Sequence, residues 1–490
     1  MKNGKSKGEV LMRTSIKKRS KVLALCLSAA LSFNAFGLSA LAADVQSANI
    51  YTITNPYENV DWYSTHQFKA NFHAHSTNSD GSNLTKDMVE DHYKKGFDIL
   101  AMTDHSYLTE NWDKVAKGPI DPERKDEIEA GIGRGGKGMI DIDNTDEQSA
   151  TDHINSFFAA YNDTTGGTRT MADTIAAVEA AGGITHINHP GRYTGGANSN
   201  LATGAAASNN PVNIQKYVDL FSAYPSLVGM EIINKVDNES RSERILWDNI
   251  LKEMMPQGRF VWGFSNDDTH SLNATGYAWN VMLMPALNQT ETRKAMENGS
   301  FYAVSRVDRR EGINATLPNG SSMPGDGNAS SLYLLEQTTP SITNIVVNHA
   351  EGVITIEGKF YNEIEWIADG EKIATGSTIN LNDYQGVINS YVRAHVKSDT
   401  GIAFTQPFGV EIAAVTLVDA TPSASVKKLN GNKNDLTIAV TETYSDGSIN
   451  EITETFSINN NAAALYAVGA YVVYVDTKGN DQIRQCYIVD

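Results

Sequence analysis

Between residues 68 and 285 the chain alternates between two hydrophobic rhythms. Short apolar runs recur at 68–75 (FKANFHAH), 97–105 (FDILAMTDH), 138–144 (GMIDIDN), 182–190 (GGITHINHP), 227–234 (LVGMEIIN), 259–267 (RFVWGFSND) and 278–285 (AWNVMLMP). Runs of this length, bounded by Gly, Pro, Asn and Asp, predict strands. Between them, 84–96, 170–182 and 242–254 carry apolar positions at helical spacing. In the first of these, Leu84, Met88 and Tyr93 form the stripe and Gly96 ends it. Seven β-type runs interleaved with helices predict an α/β fold with parallel strands, either a barrel or a doubly wound sheet.

After residue 310 the rhythm changes. Residues 311–340 are rich in Gly, Asn, Ser and Pro and read as a linker. Beyond them the helical period is lost. Runs such as VITIEGKF, EIEWIADG and YVRAHVKS, and later DLTIAVTETY and AYVVYVDTKG, recur at ~10-residue spacing with turn residues between them. One or two all-β sandwich domains are expected, at 341–412 and 413–490, the second of immunoglobulin-like type.

The length of 490 residues suits two or three domains, and 41% apolar content excludes a disordered chain. Lys17 to Lys21 is a basic stretch followed by an apolar run that closes on Ala40-Leu41-Ala42. That is the form of a signal peptide covering 1–42, so the expected location is secreted or cell-surface. No later run is long and apolar enough to span a bilayer. The chain carries a net charge of −18, and residues 43–490 alone hold 32 basic against 57 acidic side chains, a net of −25. No basic face suited to a nucleic-acid polymer or an anionic membrane is evident. A small anionic substrate held by a local positive site remains compatible. Cys26 lies in the signal, which leaves Cys486 alone and predicts no intramolecular disulfide.

The candidate chemistry lies in the histidines, nine of eleven of which fall between residues 66 and 270. His73 and His75 close the first β-run, and i,i+2 residues of a strand share a face. His105 closes the second run and His189 the fourth; Asp268 and His270 follow the sixth; Glu147 and His153 follow the third. Five segments thus place imidazoles and carboxylates at the carboxyl ends of predicted strands, where α/β barrels gather their active sites. These are the ligand types of zinc, iron and manganese.

The motifs NFHAHSTNSDGS, LAMTDHS, GGITHINHPGR and SNDDTH, in this order, resemble those of the PHP family, named for polymerase and histidinol phosphatase. The resemblance covers about residues 66–310. It implies a distorted (β/α)7 barrel in 43–310, with two or three divalent metals (zinc, manganese or iron) at its carboxyl face, and hydrolysis of a phosphate mono- or diester, small or polymeric. It implies that His73, His75 and Asp268 share a first metal; that Glu147 bridges it to a second, which also takes His153 and His189; and that Asp80, His105 and His270 hold a third. Asp141, Asp143 and Asp146 are neighbouring alternatives to Glu147, and Asp104 is expected to orient a ligand. A bridging hydroxide activated by the metals would attack phosphorus, and the lack of a convincing serine or cysteine nucleophile motif is consistent with this.

Arg192, three residues after His189, is expected to bind a phosphate oxygen. Asp268 or His270 is expected to carry a proton to the leaving group. Glu231 and Asn234 end the fifth run and are expected to line the substrate pocket. His186 is expected in the core, and the glycine-rich stretch 131–138 reads as a flexible loop whose Lys137 could reach substrate. Two other readings use the same residues: a metal-dependent hydrolase of a non-phosphate bond, amidohydrolase-like, and a cell-surface binding protein with a vestigial barrel whose β-rich tail binds glycan or cell wall.

Overall fold

The computed structural model describes residues 51–163, 170–314, 338–412, 416–428, 433–445, 447–459, 463–477 and 482–489. The signal expected at 1–42 and most of the linker at 311–340 lie outside them. No helix among the described residues is long and apolar enough to cross a membrane.

The α/β region is built from β1 (Tyr51–Thr54), β2 (His66–Asn71), β3 (Ile99–Leu100), β4 (Ile140–Asp141), β5 (Asp146–Gln148), β6 (Ile154–Phe157), β7 (Ile184–Ile187), β8 (Leu227–Asn234), β9 (Trp262–Asn266), β10 (Ala278–Met284) and β11 (Phe301–Ser305). All seven apolar runs contain a strand, and the fifth coincides with β8, buried along its whole length. β5 and β6 escaped the pattern because β5 is Asp-Glu-Gln, polar yet fully buried.

The strands form two sheets rather than one closed barrel. β2–β3–β4 and β7–β8–β9 are parallel, as expected. β5–β6 and β6–β7 pair antiparallel, and in the first pair the short link from Gln148 to Ile154 leaves no room for a crossover helix. Two isolated parallel bridges, Ala74–Thr269 and His105–Glu147, link the sheets at the carboxyl ends of the strands. Beneath them one apolar cluster draws on both sheets, with Phe72, Phe157, Phe264, Met282 and Phe301 at its centre. The helices Pro211–Ala223 and Glu243–Met254 cover β8 through Tyr217, Phe221, Leu246 and Trp247.

The larger sheet does not stop at residue 310. Beyond β11 it continues through Gly401–Phe404, Tyr391–Ser398 and Phe408–Ile412 to β1. A separate three-stranded sheet (Ser341–Asn348, Val353–Lys359, Thr378–Asn380) packs on it, with Ile345, Ile354 and Ile356 in one cluster with Trp366, Val392 and Tyr302. So 341–412 shares a sheet with the α/β region instead of standing as a free sandwich. Helical period is absent there, but ladder partners come from distant sequence, which periodicity cannot report. Residues 416–489 carry two further three-stranded antiparallel sheets around their own core of Leu436, Ile438, Val440, Val473 and Val475.

Candidate metal centre

All nine residues expected to ligate metal are brought into one cluster. Four sets of donor atoms lie within 4.8 Å of one another: His75, Asp80, His105 and His270; His73, His75 and Glu147; His73, His189 and Asp268; and His105, Glu147 and His153. The grouping differs from the expected partition, since His189 joins His73 and Asp268 while His105 joins Glu147 and His153. β2, β3, β7 and β9 deliver their residues just past their carboxyl ends, and β5 carries Glu147 itself. β6 runs antiparallel, so its amino end brings His153 to the same side.

Glu147 occupies the middle. Its Oε1 lies 3.2 Å from His73 Nε2, 3.0 Å from His153 Nδ1 and 3.3 Å from His189 Nε2. Its Oε2 lies 3.3 Å from His75 Nε2 and 2.7 Å from His105 Nδ1. Asp268 Oδ1 faces His75 Nε2 at 3.2 Å, His73 Nε2 at 3.5 Å and His270 Nδ1 at 3.2 Å. Asp80 closes the outer side, 3.3 Å from His270 and 3.6 Å from His105. His73, His75, Glu147 and Asp268 form a buried floor, while Asp80, at 57% exposure, opens to solvent. Asp141, Asp143 and Asp146 belong to none of the donor sets.

Burial opposes charge on both floor carboxylates, yet the facing imidazoles win. His73 and the neighbouring His105, His153 and His189 hold Glu147 well below the usual carboxylate range. His73, His75 and Lys235 do the same for Asp268. Burial likewise works against the His73 imidazolium, but Asp268, Glu147 and Glu231 raise its pKa. For His75 burial prevails, with the His73 charge adding to it, and the pKa is lowered.

A second layer fixes the first. Glu231 Oε1 sits 2.8 Å from His73 Nδ1 and accepts from Asn266 Nδ2, while Oε2 accepts from His189 N and Asn234 Nδ2. Both Glu231 and Asn234 are fully buried. They therefore do not line a substrate pocket as expected; Glu231 orients the His73 imidazole from behind and Asn234 donates to Glu231 and Asp268, which strand-end position alone could not distinguish. Asn188 Nδ2 donates to Glu147 Oε1 at 2.8 Å. Asp104 accepts from Ser76 N, Ser76 Oγ, Ser79 N and Ser79 Oγ, so it shapes the loop bearing Asp80 rather than orienting an imidazole. Ser106, His189, Lys235 and Asp268 all have positive φ, at 45°, 26°, 55° and 45°. Left-handed non-glycine residues cost of order 1–3 kcal/mol each and gather where a site imposes them.

Arg192 lies at the rim, half exposed, with its guanidinium 3.7 Å from Glu239. Sequence reading missed Lys235, whose Nζ is 3.1 Å from Asp268 Oδ2 and 3.5 Å from the same Glu239. Its only signal was its place directly after β8. Tyr193 was missed as well; its ring stands 5.6 Å from His153, and its buried hydroxyl has no hydrogen-bond partner.

No family model matches the sequence, and no curated protein is similar to it. Several solved structures are similar in part, three of them as follows. A two-domain protein from Bacteroides vulgatus, containing a predicted PHP-like metal-dependent phosphoesterase, is 15% identical over 84% of this chain and 100% of its own, with a TM-score of 0.37. An amidohydrolase from Chromobacterium violaceum with bound sulfate and no metal is 14% identical over 41% of this chain and 87% of its own, at 0.26. A protein from Bifidobacterium adolescentis, described as a metal-dependent phosphoesterase, is 16% identical over 41% and 87%, at 0.25. At these identities and scores the functional reading rests on the site's own residues.

Proposed function

We propose that this chain is an exported metal-dependent phosphoesterase. One observation carries the reading. His73 Nε2, His75 Nε2 and Asp268 Oδ1 are buried, point at one another and make no hydrogen bond. Buried polar atoms are nearly always paired, and a convergent imidazole–carboxylate set left open fits a cation. The residues that would hold two or three divalent metals are His73, His75, Asp80, His105, Glu147, His153, His189, Asp268 and His270, with Glu147 as the proposed bridge. When bound, zinc, manganese or iron supplies an acidified water and positive charge for phosphoryl oxygens. Support for the family-level reading comes from the four PHP-like motifs, whose ligand residues all meet in this cluster.

The chain's own groups complete the chemistry. Arg192 and Lys235 flank Glu239 and offer two cations at the rim to a charged phosphate. His270, partly exposed, is placed to pass a proton to the leaving oxygen. Asp268 is held ionised, so it suits a ligand better than a proton donor. The paired rim cations favour a phosphoester over a neutral amide, and the full donor set argues against a vestigial site. Docking to wall or glycan through residues 416–489 is part of the proposal.

The test is a hydrolysis screen over phosphomonoesters, diesters and amides, with metal-repleted protein and an EDTA-treated control. Elemental analysis should find two to three transition-metal equivalents. Fewer than about one after repletion would remove the mechanism. A preference for amides would replace it with the amidohydrolase-like reading.

A further inference from the structure

A recess of about 790 Å³ is lined by none of the nine cluster residues. Its floor is one face of β2, β10 and β11, where strand alternation presents Lys69, Trp279, Tyr302 and Arg306. Its rim includes Gly136, Lys137 and Gly138, the end of the glycine-rich loop that the phosphoesterase reading does not use.

Arg306 is the unusual member. It is 1% exposed, yet none of its three guanidinium nitrogens has a hydrogen-bond partner. An unpaired buried guanidinium is costly for a fold to retain, and a partner supplied from outside would satisfy it. Lys137 is exposed and has no ion pair or side-chain hydrogen bond among the described residues. Lys69, Lys95 and Arg134 also line the recess, against Asp98 as the one acidic residue, in a chain of net charge −18. The loop leaves room as well: a Cβ added at Gly133, Gly135 or Gly136 would meet nothing within 4 Å. Burial pushes the Arg306 pKa down to about 10, a cost that an anion would relieve.

We infer that this recess is a second ligand site, for a small organic anion whose phosphate, phosphonate or carboxylate pairs with Arg306 and whose flat apolar body lies against Trp279. Arg306 supplies the fork that such groups accept, and Lys137 adds charge from the rim. The half-buried Trp279 ring gives the body a surface to stack on. This assignment is independent of the metal chemistry.

The probe is phenylphosphonate, which cannot be hydrolysed. It is titrated into the full chain by calorimetry and by tryptophan fluorescence, before and after dialysis against chelator. One saturable site should survive metal removal. Arg306→Met should weaken it roughly tenfold or more, the loss expected for a charge-assisted hydrogen bond, and should fold with a Tm at or above wild type because an unpaired buried charge is gone. Lys137→Ala, at an exposed position, tests the site even if Arg306→Met fails to fold, and should weaken binding several-fold. Trp279→Phe should abolish the fluorescence response. The assignment is overturned if no binding survives chelator dialysis. It is equally overturned if Lys137→Ala, together with Arg306→Met where that variant folds, binds phenylphosphonate as tightly as wild type.

Discussion

At the scale of single residues, the proposed function separates groups expected to hold metal from groups expected to meet substrate. His75→Ala should lose both metal and hydrolysis. Arg192→Ala and Lys235→Ala should keep their metals, since neither cation ligates, and should lose about 1.5–3 kcal/mol of transition-state binding, roughly ten- to hundredfold in kcat/KM. The loss should be larger on a dianionic monoester than on a neutral ester; equal losses on both would detach these residues from phosphate. A different residue sets part of the acid limit of stability. His186 is buried against Phe264 and Phe157, at ring-centre distances of 4.8 and 5.3 Å. Burial holds its pKa down to about 4, against about 6.5 unfolded. Between those values the unfolded chain binds the extra proton. The stability is therefore fully present above about pH 6.5 and drains away as pH falls towards 4. His186→Phe, compared with wild type by urea unfolding at pH 7.5 and 5, should show the smaller loss at pH 5.

At the scale of elements, the strands that carry the site tolerate little. A Cβ at Gly229 of β8 would sit 2.2 Å from Trp262 O of the neighbouring β9. Gly229→Ala should therefore cost about 1–3 kcal/mol or more through forced strand separation, read as a lower urea midpoint with unchanged slope. The helix Met171–Ala180, which leads into β7, starts with a capping box between Thr170 and Asp173. Thr170→Ala should cost about 1 kcal/mol and leave metal content untouched. If metal content also fell, the helix start would be coupled to the His189 loop through β7.

For the whole molecule, the sheet that runs past residue 310 decides what can be cut away. Buried Asp248, on the helix Glu243–Met254, pairs with Arg393 at 2.8 Å and accepts from the Tyr391 hydroxyl at 2.6 Å. The Gln406 side chain bonds both backbone groups of Gly263 in β9. A chain ending at 310 would strip Asp248 of its partners and bare both the edge of β11 and the apolar side chains Val281, Leu283, Tyr302 and Val304 that pack on 341–412. It should be insoluble or protease-sensitive. A chain ending at 412 loses only strands with their own core and should keep metal uptake and hydrolysis. A soluble, active 44–310 fragment would show that the shared sheet is dispensable.

The local rhythm of the chain determined the α/β character of the first part and the β character of the rest, because strand and helix periods are properties of neighbouring residues; it also set eight of the nine candidate donors at strand ends, while Asp80 came only from the motif resemblance. His73 and His75 are legible in this way, and so is Asp268. β5 was not, because a buried polar strand carries no apolar signal until its partners are known. Glu231 could be placed near the site but not behind His73, since depth is set by what packs over a residue. Lys235 points at Asp268 only because β8 and β9 lie side by side. The Arg306 recess and the sheet shared across residue 310 likewise join segments far apart in sequence. Such long-range contacts depend on how separately coded elements pack, so only the tertiary structure could decide them.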